Sequence, residues 1–246
     1  MTLHPVWYAM LVLLGLGVAG MAAGSRGKPK EVQRERLGKT ISYGVIVSLL
    51  MWLALRGGLL MVAAGCAIVI AGAVELWRVA ATDRSLRSYQ VSAAILYLVL
   101  CAGFVHFLIY TGPSARAFVF LTVFCFDSFS QVAGQMFGKR PLAPKISPNK
   151  TVEGFLGGLV AVLAAEWLVS RWSHLSGWLL WGLLIACSSL AGDLAASHFK
   201  RRHGIKDFSN WVPYQGGFLD RFDSLIASGA AVSLANLAFQ LWRAVR

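Results

Sequence analysis

Charged residues are scarce in this sequence. Asp, Glu, Lys and Arg make up 14% of its 246 residues and 57% are hydrophobic, whereas about 25% of the residues in a soluble protein are charged. A soluble fold could not bury so many long apolar runs, so we expect much of this surface to face lipid. The composition therefore predicts an integral membrane protein.

Familiar catalytic and metal-binding patterns are also missing. The sequence has no Gly-rich loop that ends in Lys-Ser or Lys-Thr, no serine nucleophile elbow and no zinc-type spacing of His and Cys. Its five histidines are scattered and its four cysteines lie inside apolar runs, so we expect neither a triad nor a disulfide framework. No Lys or Arg precedes the first apolar run, which we interpret as a membrane-spanning helix rather than a cleaved signal peptide.

Eight apolar stretches are candidates for crossing a membrane, which takes about 20 mostly apolar residues. They are residues 6–23, 41–55, 57–77, 89–110, 117–137, 154–170, 175–197 and 224–242. The second stretch is short, and only an Arg-Gly-Gly sequence at 56–58 separates it from the third. Hydrophobicity alone leaves open whether residues 41–77 cross once or twice.

The distribution of positive charge decides between these possibilities. The net charge is +12, from 23 basic and 11 acidic residues. With eight crossings and an outside N-terminus, four basic gaps fall on one side, which the positive-inside rule makes cytoplasmic. Five basic residues fall on the other side: Arg56, Arg116, Arg171, Arg243 and Arg246. A single crossing at 41–77 would destroy this partition, so eight crossings are predicted.

The predicted fold is therefore all-α, a polytopic helical bundle with about eight transmembrane helices. We expect one membrane domain over residues 1–246, with N-terminal spans at 1–116 and the spans and loops that carry the chemistry at 117–246. Basic residues placed between apolar runs favour contact with membrane lipid, and no nucleic-acid partner is expected.

Acidic residues inside the apolar stretches are candidates for function, because a charge is costly within a membrane. Asp127 lies about midway along the fifth stretch and Asp193 near the cytoplasmic end of the seventh. Both have polar neighbours, which favours a hydrated interior cavity. Glu75 and Glu166 lie near the ends of their stretches, where snorkelling or pairing explains them.

The loop at 198–223 reads HFKRRHGIKDFSNWVPYQGGFLDRFD. Its basic residues can neutralise phosphates, and the Gly216-Gly217 pair lets backbone amides approach an anion closely. Asp220 and Asp223 are three residues apart, so on a helical turn they share a face and could hold one cation. An ordinary basic cytoplasmic loop would need neither feature.

The loop at 138–153, GKRPLAPKISPNKTVE, repeats this theme. Its three prolines stiffen the backbone, and several side chains offer hydrogen-bond donors to phosphate or nucleotide oxygens. These are Lys145, Ser147, Asn149, Lys150 and Thr151. The two loops together predict a polyphosphate pocket.

Residues 197–223 resemble the signature of the phosphatidate cytidylyltransferases, also called CDP-diacylglycerol synthases. The positions that match in register are Ser197, Lys200, Arg201, Lys206, Asp207, Ser209, Pro213, Gly216, Gly217, Asp220, Arg221 and Asp223. The Gly-Asp-Leu at 192–194 and the sequence LAPKISPNKTVEG at 142–154 also resemble the family, with Asp127 upstream. The resemblance covers roughly residues 120–230.

The sequence departs from the family pattern around the expected pocket. Gln215 stands where the family usually has His before Gly-Gly, Ala196 replaces a usual Glu, and Val152 replaces a usual Trp. Gln131 and Gln135 stand where Tyr and Arg are common. The carboxylates of the signature are kept, so the lipid acceptor is less well defined than the type of reaction.

The resemblance implies transfer of CMP from CTP to phosphatidate, or a closely related lipid phosphate, in phospholipid biosynthesis. The products are CDP-diacylglycerol and pyrophosphate. It implies Mg²⁺ held by Asp193, Asp220 and Asp223, with a second, monovalent cation such as K⁺. The implied catalytic set comprises these aspartates and Lys200, Arg201, Lys206 and Asp207. The residues implied around the nucleotide are Lys145, Ser147, Lys150, Thr151, Gly216, Gly217 and Arg221.

Family analogy also indicates a homodimer in the bacterial inner membrane, with the active site on the cytoplasmic side. Two other functions remain open. A CTP-dependent lipid-alcohol kinase of the polyprenol or phytol type would share the pocket but transfer the γ-phosphate to an alcohol. An ion or solute transporter would use Asp127 and Asp193 as a path without CTP, but it gives no reason for Gly216-Gly217 or for Asp220 and Asp223.

Overall fold

The computed structural model describes residues 5–23, 29–173 and 177–245, which are almost entirely helical. The α-helices are α1 Pro5–Ala23, α2 Lys30–Arg56, α3 Gly58–Ala80, α4 Arg87–Tyr110, α5 Pro113–Phe137, α6 Val152–Ser173, α7 Trp178–Arg202 and α8 Leu219–Val245. A 3₁₀ turn, Arg84–Leu86, leads into α4, and the antiparallel strands β1 (Pro141–Ala143) and β2 (Ser147–Thr151) lie between α5 and α6. Each predicted crossing overlaps one α-helix, so the all-α architecture is confirmed.

Six of these helices, α2, α3, α4, α5, α7 and α8, are long and apolar enough to cross a membrane. The apolar part of α1 that the structure describes, Met10–Gly20, is shorter. Large hydrophobic side chains such as Leu59, Leu180 and Leu241 remain exposed on the bundle, as expected where lipid covers the surface. The predicted polytopic membrane protein is confirmed.

A glycine break separates α2 from α3. Gly57 and Gly58 have φ angles of +68° and +66°, in the left-handed region that favours glycine. The Gly57 N–H ends α2 by donating to the Leu53 carbonyl at 2.8 Å. The start of α2 and the end of α3 then contact the same loop, through Lys39 and Glu75. The chain therefore reverses at Gly57, and residues 41–77 cross twice as predicted.

The segments that carry the basic residues meet at one end of the bundle. Gln90, at the start of α4, donates from Nε2 to the Asp83 carbonyl at 2.6 Å and lies 3.1 Å from Nε2 of His203. Arg201 Nε, at the end of α7, donates to the Ile146 carbonyl of the β-hairpin at 3.3 Å. The predicted grouping of these segments is confirmed for the described residues, and its cytoplasmic location stays a prediction.

Some residues used in the charge partition behave differently or lie elsewhere. Arg116, at the start of α5, is buried and donates to the Leu108 carbonyl at 2.6 Å. Arg116 therefore lies inside the bundle, at the end opposite to the basic segments, and its charge does not face solvent. Arg26, Lys28 and Arg246 lie outside the described residues.

Helix α5 forms the centre of the bundle and packs against α1, α2, α6, α7 and α8. All of its residues from Arg116 to Phe126 are buried. Small residues bring the outer helices close, because a methyl group at Gly103 of α4 would lie 2.9 Å from the Ala230 Cβ of α8. This packing fixes α7 and α8 against α5, where the predicted aspartates lie.

Candidate active site

Three aspartates from three helices lie within electrostatic range of one another. They are Asp127 of α5, Asp193 of α7 and Asp223 of α8. Their carboxylates repel one another, and a bound cation would relieve this repulsion. Asp223 is buried, and the other two are partly buried. Ser189 Oγ donates to Asp127 Oδ1 at 3.1 Å. We refer to Asp127, Asp193 and Asp223 as the aspartate cluster.

Positive side chains surround the aspartate cluster. Lys150 and Arg221 attract the Asp127 carboxylate, and Lys200 attracts that of Asp223. These cations come from β2, α8 and α7, so the cluster draws its counter-charges from separate elements. Such a mixture of acids and bases can hold both a metal ion and the phosphates that the ion accompanies.

Gly192 explains how α7 brings Asp193 to Asp223. A methyl group at position 192 would lie 2.7 Å from the Asp223 carbonyl oxygen and 2.6 Å from the Ala227 Cβ. The helices thus approach here to a separation that a larger residue would prevent. The Gly-Asp-Leu sequence at 192–194 therefore couples close packing with the placement of a carboxylate.

The β-hairpin reaches the aspartate cluster through Lys150. Its Nζ forms an ion pair with Asp193 Oδ2, and Ser197 Oγ donates to Asp193 Oδ1 at 3.2 Å. The Lys150 side chain is 25% exposed, so it is reachable from the loop side. The loop at 138–153 therefore contacts Asp193, and it forms a β-hairpin that its proline content did not indicate.

Glu153, at the start of α6, holds this hairpin in place. Its carboxylate accepts hydrogen bonds from the backbone N–H groups of Lys139 at 3.0 Å and Arg140 at 3.1 Å, and it pairs with Arg140 Nε at 2.9 Å. These bonds, first those from the two backbone N–H groups, lower the pKa of Glu153 to about 2. Thr151 Oγ1, expected near the nucleotide, accepts the Gly154 N–H at 3.0 Å and caps α6.

Both oxygens of Asp220 accept hydrogen bonds from groups of the protein itself. Its Oδ1 lies 2.5 Å from Lys200 Nζ, and its Oδ2 accepts the N–H groups of Phe208 at 2.8 Å and Gly217 at 2.9 Å. Gly216 has a φ of +87°, which favours glycine and turns the backbone toward this carboxylate. The anion that the Gly216-Gly217 backbone approaches in this structure is Asp220.

The three carboxylates predicted to hold magnesium therefore have different surroundings. Asp193 and Asp223 belong to the aspartate cluster, whereas Asp220 is bound to Lys200 and two backbone N–H groups. Across residues 5–23, 29–173 and 177–245, no group of three or more His, Cys, Asp or Glu is placed to hold a metal ion. One or two carboxylates, completed by phosphate oxygens and water, are the usual protein ligands of Mg²⁺. Asp193 and Asp223 fit that donor set, and the metal assignment stays a prediction.

The remaining predicted residues are exposed or only partly buried. Arg201 is exposed and donates from Nη1 to the Ile205 carbonyl at 2.9 Å, which orders the turn after α7. Ser147 is partly buried in β2. The exposed members are Lys145, Lys206, Asp207 and Arg221. Their exposure suits contact with a soluble nucleotide, and their roles stay predictions.

Two buried residues hold the segment 203–218, which we name the signature loop, and neither was predicted as a site residue. Gln215 donates from Nε2 to the Lys39 carbonyl at 2.7 Å, so this departure from the family pattern anchors the loop on α2. Glu75 is fully buried and accepts hydrogen bonds from the start of α8. The cost of charge in a membrane, which singled out Asp127, also marks Glu75.

Of the two explanations for Glu75 and Glu166, snorkelling to the membrane surface is wrong, whereas both carboxylates do have hydrogen-bond partners. Glu75 is 0% exposed and Glu166 is 1% exposed. Glu166 Oε1 lies 3.3 Å from Thr122 Oγ1 in the α5–α6 interior, apart from the aspartate cluster. Both glutamates are interior residues because neighbouring helices close over them before the side chain can reach water.

An apolar cavity of about 260 Å³ opens beside Asp223. Helices α4 and α7 both pack on α8 but make little contact with each other, and the cavity lies between them. Its hydrophobic wall includes Leu76, Leu96, Leu100, Phe199, Phe208 and Ile226. Ala196, where the family usually has Glu, also lines it. The site therefore joins a charged cluster to an apolar space within the helical bundle.

Three of the residues that line this cavity, Tyr89, His198 and Phe199, are in aromatic contact with one another. The Tyr89 ring stacks on Phe199 with centroids 5.9 Å apart and meets the His198 ring edge-on at 5.8 Å. The Arg202 guanidinium lies over Tyr89, 5.5 Å from the ring centre, a favourable cation–π contact. A molecule that fills the cavity would thus have its apolar part between α4 and α7 and its polar part toward Asp223.

A comparison with known protein families covers almost the whole chain. The model of the cytidylyltransferase family matches residues 4–239. That match includes the aspartate cluster, the β-hairpin and the signature loop, and it reaches well beyond the region of the sequence motifs.

Three bacterial proteins named phosphatidate cytidylyltransferase are similar to part of this chain. The protein from Haemophilus influenzae is 39% identical over 127 residues, covering 48% of this chain and 44% of that protein. The protein from Aquifex aeolicus is 43% identical over 127 residues, covering 50% and 49%. The protein from Staphylococcus epidermidis is 38% identical over 130 residues, covering 50% of each. The chain thus matches about half the length of these curated relatives.

Proposed function

The chain belongs to the cytidylyltransferase family, and on this premise we propose that it transfers CMP from CTP to phosphatidate or a closely related lipid phosphate. The products would be a CDP-lipid, CDP-diacylglycerol for phosphatidate, and pyrophosphate. The observation that carries the proposal is the aspartate cluster with its lysines, set beside an apolar cavity within the bundle. A nucleotidyl transfer to a lipid needs both environments next to each other.

The proposed reaction is an in-line displacement at the α-phosphorus of CTP. A phosphate oxygen of the lipid forms a new bond to this phosphorus. The bond from the α-phosphorus to the oxygen that bridges to the β-phosphorus breaks, and pyrophosphate leaves with the electron pair. The acceptor oxygen is already anionic, so the protein need supply neither a nucleophile nor a strong base. Positioning and charge neutralisation carry most of such a phosphoryl-type transfer.

Basic residues supply the charge neutralisation in this proposal. Lys150 lies in the aspartate cluster, and Lys200 is bound to Asp220 at its edge. Arg201, Lys206 and Arg221 are exposed, and in this proposal they meet the triphosphate. In a site that excludes water, such fixed charges stabilise a transition state more strongly than in bulk solvent.

We propose Asp193 and Asp223 as the magnesium ligands, because their neighbouring carboxylates fit a hard cation that also binds phosphate oxygens. Asp220 already accepts hydrogen bonds from Lys200 and two backbone N–H groups, so a cation that joined it would share this carboxylate with those donors. When bound, Mg²⁺ would neutralise charge on the triphosphate. A second, monovalent cation and a homodimer are proposed on family resemblance alone.

The apolar cavity supports a lipid as the acceptor. Its walls are hydrophobic and one end reaches Asp223, so a hydrocarbon chain could lie there while the phosphate remains at the aspartate cluster. We also propose that the protein works in the bacterial inner membrane with this site on the cytoplasmic side, since the basic segments converge there.

The two alternatives have less support. The relatives are named cytidylyltransferases, which favours nucleotidyl transfer over phosphorylation of a lipid alcohol. Asp193 is paired with Lys150. A carboxylate that already has a counter-charge is less suited to conduct ions, so the pairing does not favour the transporter.

The direct experiment is a product assay. Purified protein in detergent would be incubated with CTP, Mg²⁺ and phosphatidate, and the extracted lipid analysed by mass spectrometry. We expect CDP-diacylglycerol and an equal amount of pyrophosphate. Consumption of CTP without a CDP-lipid, across several lipid phosphates, would contradict the proposal.

A further inference from the structure

Glu75 of α3 is completely buried although it carries an acidic group within an apolar helix. Its Oε1 accepts hydrogen bonds from Ser209 Oγ at 2.5 Å and the Phe218 N–H at 3.0 Å. Its Oε2 accepts the Leu219 N–H at 2.7 Å. Both oxygens are therefore used, and all three partners belong to the signature loop or to the first residue of α8.

Asp220 binds the same loop from the other side. Its Oδ2 accepts the N–H groups of Phe208 at 2.8 Å and Gly217 at 2.9 Å. Each of these residues adjoins one that Glu75 binds. Two carboxylates on different helices thus tie the early part of the signature loop to its end.

The contact of Glu75 with α8 satisfies groups that the helix itself cannot. The first N–H groups of an α-helix have no partner within the helix, and the positive end of the helix dipole lies there. Glu75 supplies the acceptor and the negative charge from another helix. Asp220 and Asp223 follow within about one turn, so the direction in which α8 starts sets where both side chains lie.

We propose that Glu75 is a positioning residue for the active site. It fixes the start of α8 and thereby the placement of Asp220, Asp223 and the bound Lys200. Glu75 does not contact the reacting groups and acts through the N–H groups of Phe218 and Leu219. Its effect on catalysis rests on the proposed function, whereas its effect on the start of α8 does not.

Gly217 gives a second, independent sign that this geometry is tight. A methyl group at position 217 would lie 2.6 Å from Glu75 Oε1, closer than a carbon and an oxygen can pack. A side chain at position 217 would therefore displace the Glu75 carboxylate from its present position. The backbone of the signature loop at Gly217 is therefore packed directly against the Glu75 carboxylate.

The test compares Glu75→Gln with Glu166→Gln. Both changes remove a buried carboxylate from a membrane helix and keep its size, but Glu166 lies apart from the aspartate cluster. An amide cannot accept hydrogen bonds at both ends, so Glu75→Gln leaves one N–H at the start of α8 without an acceptor. We expect kcat per folded molecule to fall about tenfold to hundredfold, as a misplacement of about 1 Å does. The magnesium concentration for half-maximal rate should rise, and Glu166→Gln should change neither quantity.

A readout that needs no activity is hydrogen exchange of the backbone amides. The amides of Phe218 and Leu219 should exchange faster in Glu75→Gln than in the wild type or in Glu166→Gln. If Glu75→Gln does not fold, Ser209→Ala removes only one of the three bonds and keeps both N–H contacts. It should give a smaller fall in kcat and a smaller rise in the magnesium concentration for half-maximal rate.

The outcomes separate the two proposals. If the folded Glu75→Gln protein keeps the wild-type kcat and magnesium dependence, Glu75 is structural only and the inference is overturned. If the wild type itself makes no CDP-lipid, the proposed function fails. Exchange at Phe218 and Leu219 then decides the inference about α8: faster exchange in Glu75→Gln supports it, and unchanged exchange overturns it.

Discussion

The Nζ of Lys150 pairs with the carboxylate of Asp193, and this contact joins the β-hairpin to α7 at the aspartate cluster. The pair neutralises one of three neighbouring carboxylates. A cation that binds Asp193 would take over this neutralisation and leave Lys150 available to a phosphate. Lys150 and Asp193 would therefore pair with each other before the substrate binds, and with phosphate and cation afterwards.

The first prediction concerns Lys150. Lys150→Met should lower kcat/KM for CTP roughly 10- to 100-fold, because an interaction with a charged group contributes about 1.5–3 kcal/mol. The matched control is Lys139→Met, which changes an exposed lysine of the same loop whose backbone N–H binds Glu153. Steady-state rates at varied CTP would test this, and equal rates for the two variants would contradict the assignment of Lys150.

The second prediction concerns the carboxylates. Asp193→Asn and Asp220→Asn should each lose nearly all activity while the protein still folds, and Asp223→Asn should lose it to a variable extent. The first change removes charge from the aspartate cluster. In the second, the amide keeps one acceptor oxygen, so either its NH₂ group faces Lys200 or the N–H groups of Phe208 and Gly217 lose their shared acceptor. Activity and thermal unfolding would be measured together.

Glu31→Gln is the control for these variants, since Glu31 is exposed on the first turn of α2. Glu75→Gln cannot serve in that role because Glu75 is buried in the signature-loop contact. Normal turnover of Asp220→Asn at an ordinary magnesium concentration would refute the role of Asp220.

Local sequence signals predicted much of this architecture. Charge partition required two crossings between residues 41 and 77, and the left-handed glycines at 57 and 58 form the reversal. Helix boundaries were less accurate, since α8 begins at Leu219 rather than at 224. The first residues of α8 are mostly polar, so a search for apolar runs does not include them. They are helical nevertheless, and Glu75 accepts the N–H group at the start of the helix.

The sequence predicted only those parts of the site that lie close together along the chain. The signature indicated Asp220, Lys200 and the two glycines as a group, and these residues are in contact. The partners that come from distant parts of the chain, Glu75 and Lys39, could not be predicted from local spacing. Their contacts depend on how α2 and α3 pack, which a motif does not encode.

The third prediction is a pH dependence at the β-hairpin. The carboxyl of Glu153 has a pKa of about 2 in the folded chain, below its ordinary value of 4.5, because it accepts backbone N–H bonds from Lys139 and Arg140. A depressed folded pKa means that its stabilisation is present above pH 4.5 and is lost as the pH falls toward 2. The difference in Tm between wild type and Glu153→Gln should therefore shrink over this range. A difference that grows as the pH falls would contradict the prediction, and Glu31→Gln should show no such trend.

The fourth prediction concerns sidedness. In a variant without native cysteines, single cysteines at Lys145 and Lys206 should react with an impermeant reagent only from the cytoplasmic side. A cysteine at Ala115 should react only from outside. Ala115 is chosen because it is exposed, whereas the neighbouring Arg116 is buried and would report poorly. Labelling of positions 145 and 206 from opposite sides would contradict both the topology and the shared pocket.

The measurement that tests the central claim most directly follows the phosphorus atoms of CTP. Transfer of CMP breaks the bond between the α- and β-phosphates, whereas a lipid kinase breaks the bond to the γ-phosphate. With phosphatidate as acceptor, we predict that label from α-labelled CTP enters the lipid and that γ-labelled CTP releases labelled pyrophosphate. Transfer of the γ-label to a long-chain alcohol, with none of the α-label in lipid, would contradict the account.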